Sequence, residues 1–93
     1  MKFFTFFKLL AIVGATTIHP SENILCGSYD TPISECGTTN LLDYNMAAAK
    51  IVYNRRTVVF YSEADCKGYG GSVQDSIDCL ELPFRPRSVF IEC

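Results

Sequence analysis

Residues 57–71, TVVFYSEADCKGYGG, decide the fold. Thr57 to Tyr61 are β-branched and aromatic in an unbroken run, the composition of a strand in a pleated, half-buried sheet. Lys67 to Gly71 carry three glycines and form a corner. Tyr61 is followed by Cys66 five positions on and by Gly68 two further. Gly68 can take a positive φ where any Cβ would clash. The flat ring of Tyr61 offers the corner a surface to stack on. The segment is a strand leading into a glycine-rich corner.

Outward from this hairpin the chain alternates short strands with turns. On the C-terminal side a weak strand spans Ser72 to Asp75 and another spans Ile77 to Leu82, and Pro83 and Pro86 bracket a loop. The last strand runs from Arg87 to Cys93, with Val89 and Ile91 alternating against Ser88, Phe90 and Glu92. On the N-terminal side Lys50 to Tyr53 is a strand joined to Thr57 to Tyr61 through an Asn54-Arg55-Arg56 turn. Asn40 caps a short helix continued by Ala47, Ala48 and Ala49 and closed by Lys50. Ser28 to Thr39 is rich in turn formers, and Asn23 to Cys26 is a short apolar entry. The expectation is an all-β class domain, mainly strands with one short helix.

Ninety-three residues hold one domain, with 48% hydrophobic residues, 19% charged residues and a net charge of −2. That is too hydrophobic for a disordered chain. Eight Lys and Arg at a pI near 5.2 lack the basic face that nucleic acid requires. Residues 1–17, MKFFTFFKLLAIVGATT, read as a secretory signal peptide: Lys2 starts it, an apolar run from Phe3 to Val13 follows, and small residues allow a cut after Ala15 or Thr17. The run falls short of the about 20 apolar residues that a membrane span needs. Residues 18–93 are then a single cysteine-stabilised β domain, keeping six basic and ten acidic residues, a formal −4. All five cysteines, Cys26, Cys36, Cys66, Cys79 and Cys93, lie in it. In a secreted domain this small they are disulfide candidates. With no CxxC pair and His19 the single histidine, no metal centre or other cofactor is expected. No N-x-S/T sequon occurs, so N-glycosylation is not expected either.

The Tyr61, Cys66, Gly68 spacing together with Ser88 in the last strand resembles the Greek-key motif of the βγ-crystallins and their relatives. There, two aromatics and a glycine build a folded hairpin on which a late serine packs. The resemblance implies a small disulfide-stabilised Greek-key β-sandwich. It places Cys66 where the family has its second aromatic, so that a Cys66–Cys79 disulfide replaces ring packing. The first half, Cys26 to Tyr53, would be a degenerate copy, with Ile51 and Val89 set 38 positions apart as closing-strand equivalents. The calcium-binding stretch of some family members falls here on Pro83 and Phe84, and on Asn45 and Met46, which lack the hard oxygen ligands calcium takes. Asp65, Asp75 and Asp78 are scattered and read as a solvated face. The resemblance extends to small secreted killer-toxin-like antifungal proteins and to proteinase inhibitors.

For catalysis the sequence holds little. His19 has no obvious partner near a mobile terminus, and the acid pairs Glu63 with Asp65 and Asp75 with Asp78 would need a cleft between them. Tyr69 and Phe84, with Arg85 and Arg87, lie in predicted loops and form a candidate contact surface; Tyr29 is a further loop aromatic. The reading is a small secreted, non-enzymatic effector or toxin-like protein that binds an extracellular protein or cell-surface component of a host or competitor. The alternatives are a proteinase inhibitor presenting Pro83 to Arg87 and a structural matrix protein. Arg55-Arg56 is a dibasic pair that a secretory-pathway protease could cut. Five cysteines leave one unpaired, and a monomer with one capped or buried thiol is expected. The alternatives are a disulfide-linked homodimer or covalent attachment to a partner through the terminal Cys93, while an internal Cys26–Cys93 bond would leave Cys36 free instead.

Overall fold

The computed structural model describes residues 15–93, and residues 1–14 of the expected signal peptide lie outside them. Seven strands follow in order: β1 (Thr17–Ser21), β2 (Gly37–Asn40), β3 (Ala48–Val52), β4 (Val58–Glu63), β5 (Lys67–Val73), β6 (Ile77–Glu81) and β7 (Ser88–Ile91). They form two antiparallel sheets, ordered β1-β3-β6 and β2-β7-β4-β5. The strand before the last in each half has crossed over: β2 completes the sheet built by the second half, and β6 completes that built by the first. A disulfide-stabilised β-sandwich with Greek-key connections results.

The two halves repeat each other at an offset of 40 residues. Ile18 pairs with Ile51 in one sheet, and Val58 with Ile91 in the other, each position 40 further along the chain. The closing-strand equivalent of Ile51 is therefore Ile91, two residues beyond the expected Val89. These four residues face each other across the sandwich with Phe60 and Val89, all at most 2% exposed. Leu41 and Met46 anchor the crossing from β2 to β3 in the same core, and Leu82 that from β6 to β7.

No helix forms among the described residues, against the expectation for Asn40 to Lys50. The reason is burial. Met46 to Ala49 are at most 1% exposed, and β3 is the central strand of its sheet, where Ala48 faces both Ser21 and Glu81. Pairing on both edges and burial override the alanines' preference for helix. Three further boundaries differ. The corner Lys67 to Gly71 and the weak strand after it are one strand, β5, because β4 pairs along its length. Gly37–Asn40, expected as the end of the turn-rich stretch and a helix cap, is a strand because β7 offers it a partner. β1 was not expected, and it straddles the proposed leader boundary; Pro20 is tolerated there because β1 is an edge strand. It also places His19 in a ladder opposite Lys50, not at a mobile end. The Asn54-Arg55-Arg56 turn does not close a hairpin, since β3 and β4 belong to different sheets.

Candidate functional site

The β4–β5 corner is the best-organised irregular segment of the second half. Ser88, fully buried in β7, accepts a hydrogen bond from the Cys66 amide at 3.1 Å and donates one to the Glu63 carbonyl at 2.6 Å. One hydroxyl thereby ties two backbone groups of the turn to the last strand. Asn40 adds two bonds of 2.9 Å, one to the Asp65 carboxylate and one from the Asp65 amide, fastening the end of β2 to the turn. Under this restraint Asp65 and Cys66 hold left-handed conformations, φ 59° and 60°. Gly68 follows at φ +80°, where a Cβ would run into the Ser62 hydroxyl. The ring of Tyr61 lies beside Gly70, its cross-strand partner within the corner segment, where a Cβ would come 3.3 Å from the ring.

The disulfides differ from the expected pairing. Cys26 bonds to Cys79 and Cys36 to Cys93, and Cys66 is free. The strand exchange explains this outcome. Cys79 rides on β6 into the sheet of the first half, away from Cys66 and toward Cys26. Cys26 and Cys66 occupy equivalent positions of the two halves, 40 apart, both with positive φ. The position equivalent to Cys79 is Thr39, and its neighbour Thr38 meets Cys66 with Oγ1 3.1 Å from Sγ. A threonine thus stands where a bonding cysteine would be needed. Cys93 is engaged within the chain, so it cannot link two copies.

Tyr69 on β5 and Phe84 in the loop after β6 come together, ring centroids 4.9 Å apart in an edge-to-face contact. Tyr69 is 67% exposed, while Phe84 is half-buried and packs on the core. Beside them an apolar groove of about 170 Å³ opens between the free edges of the two sheets, lined by Phe60, Val73, Leu80, Leu82 and Phe84. Arg85 and Arg87 are exposed on the same loop. The Arg87 amide donates to the Tyr61 carbonyl and its own carbonyl accepts from Leu41, which pins the loop at one end. Buried Pro86 is the loop's inward anchor. The sequence suggested all four residues, though not the contact between Tyr69 and Phe84, and gave no sign of the groove, which only the exchanged strands create.

A second exposed apolar cluster, Ile24 and Leu25, flanks Cys26 on the opposite half. Tyr29 there donates from its hydroxyl to the Asp78 carbonyl at 3.3 Å and meets the His19 ring edge-on at 6.1 Å. His19 also lies 3.2 Å from the Thr17 hydroxyl. Among the described residues no three His, Cys, Asp or Glu side chains converge in a way that could hold a metal, and no helix is long and apolar enough to cross a membrane. Tyr44 has its phenol pushed above the usual tyrosine range, first by burial and then by the nearby carboxylates of Asp30 and Glu22.

Comparison with curated proteins returns no match, and neither does comparison with solved structures. A family model does match: MiAMP1, over residues 25–93. This is a family of small, cysteine-rich, non-enzymatic antimicrobial-type domains with a Greek-key β fold. It replaces the βγ-crystallins as the chain's family. The hairpin and serine of the second half are present, but the first half has Ser28 and Ala48 where the second has Gly68 and Ser88. With two internal disulfides and a model match over well over half its length, this chain belongs to the MiAMP1 family.

Proposed function

We propose that the protein is a secreted, non-enzymatic antimicrobial effector that acts by contact with a cell-surface component of a competing or invading organism. The family match over residues 25–93 carries this reading. The contact surface is the Tyr69–Phe84 pair with Arg85 and Arg87 around the groove. Exposed aromatic and arginine side chains beside an apolar hollow are the composition of a binding hot spot. Bulk charge does not supply the attraction. The domain is net acidic and would be repelled by an anionic membrane, so recognition rests on this local patch. Secretion follows from the N-terminal apolar run. A cut after Ala15 keeps buried Thr16 and the first residue of β1, which supports that site over a cut after Thr17.

Growth inhibition of fungal and bacterial cultures by the oxidised, purified protein tests the proposal. Tyr69→Ala should weaken inhibition by about tenfold or more, as loss of an aromatic hot spot does. Its unfolding midpoint should move little, because Tyr69 is mostly exposed. No inhibition by wild type, or equal potency of the variant, refutes the assignment.

A further inference from the structure

We propose that the Arg55–Arg56 turn is a processing site, at which a dibasic-specific endoprotease of the secretory pathway converts the chain into a two-chain, disulfide-linked protein. The proposal rests on the secreted reading above. Three observations place it. Both arginines are exposed, and Arg55 is held at φ 68°, in a conformation that side chains rarely adopt and that opening of the turn would relieve. The turn joins β3 to β4, which lie in different sheets and do not pair, so residues 53–56 lie outside both ladders; beyond the cut, the Thr57 carbonyl accepts from the Glu92 amide at 2.9 Å. The hydroxyl of Thr16 bridges the turn, accepting from the Asn54 amide at 2.9 Å and donating to the Arg56 carbonyl at 3.2 Å. This restraint can be removed without touching the core strands.

The other basic residues are poorer sites. Lys50 and Lys67 sit in paired strands, Arg85 precedes Pro86, and Arg87 precedes buried Ser88 at the start of β7. A protease must hold several residues extended, and local opening is cheapest where few backbone bonds are lost. The cut adds one water across the Arg56–Thr57 peptide bond, giving an Arg56 carboxylate and a Thr57 ammonium. Each disulfide joins a cysteine before the cut, Cys26 or Cys36, to one after it, Cys79 or Cys93. The exchanged strands β2 and β6 interlock the halves as well. Cleavage therefore leaves the sandwich assembled.

The test uses the full chain, oxidised and purified, with a kexin-type protease. The expected product has the mass of one added water, runs as one band without reductant, and separates into two fragments at Arg56/Thr57 with it. Arg56→Gln should resist cleavage, and Thr16→Val should be cut several-fold faster because the bridge over the turn is gone. First cleavage elsewhere, resistance of the wild-type turn, or fragments that part without reductant would each overturn the proposal. So would a single uncut chain secreted by a host that contains the protease. Failure of secretion would count against the secreted reading alone, since cleavage of the purified protein decides the site independently.

Discussion

Ser88→Ala removes a single oxygen from the interior and tests how the second Greek-key corner is held. The Ser88 hydroxyl makes two bonds, from the Cys66 amide at 3.1 Å and to the Glu63 carbonyl at 2.6 Å. Ser88 itself is fully buried, whereas Cys66 is half-buried and Glu63 exposed. Water can therefore recover part of what is lost on the turn side. A buried hydrogen bond contributes about 1 kcal/mol net, and a group left without a partner costs about 1–3 kcal/mol. Two groups, one partly rehydrated, give a loss of about 2–3 kcal/mol. For a domain this size that lowers the melting temperature by roughly 10–20 °C. With a urea m-value of about 1 kcal/mol/M, the midpoint falls by about 2–3 M. Urea unfolding of wild type and variant, both with disulfides intact, measures it. An unchanged m-value with a midpoint shift below about 0.5 M would show that the hydroxyl does not hold the corner.

Gly68→Val places a β-branched side chain at φ +80° and against Ser62, and should destabilise by more than about 1–3 kcal/mol, the cost of such a backbone conformation alone; an unchanged denaturant midpoint would contradict the corner geometry. Cys66→Ser should keep both disulfides and cost less than about 1 kcal/mol, since a serine hydroxyl can still meet Thr38, whereas Cys93→Ser should lose about 2–5 kcal/mol with its disulfide. Peptide mapping that finds Cys66 bonded, or Cys93 as the alkylated thiol, would reverse this pairing. The phenol of Tyr44 is held neutral in the folded state above its ordinary range, so its contribution is full below pH about 10 and is lost as pH rises through the folded pKa. Tyrosinate absorbance should show one late-titrating tyrosine that Tyr44→Phe abolishes, and Tyr44→Phe should also flatten the alkaline loss of stability.

Two of the strands that face the core, β4 and β7, were legible because local patterning and burial agree. Thr57 to Tyr61 and Ser88 to Ile91 alternate or cluster apolar residues just where β4 and β7 pair, and Gly68 marks a position that only glycine fills without strain. The small size and the five cysteines pointed to disulfide support, and Ser88 to a corner closed from the last strand. The proposed contact residues Tyr69, Phe84, Arg85 and Arg87 stood out in the sequence as loop aromatics and cations, but the meeting of Tyr69 with Phe84 did not. Periodicity carries no information about which sheet a strand joins. Ala47 to Ala49 favour helix by themselves, and Ala48 and Ala49 form strand because β3 is buried and paired on both edges, with β1 and β6. The exchange of β2 and β6 carries Cys79 to Cys26, leaves Cys66 facing Thr38, and opens the groove beside Phe84. The sequence by itself determined that the chain is a small, cysteine-stabilised β domain with a glycine corner and a serine behind it. Only the tertiary structure decided which cysteines meet, because a disulfide depends on two Cα atoms coming within about 7 Å, and that proximity is set by strands swapped between sheets, not by spacing along the chain.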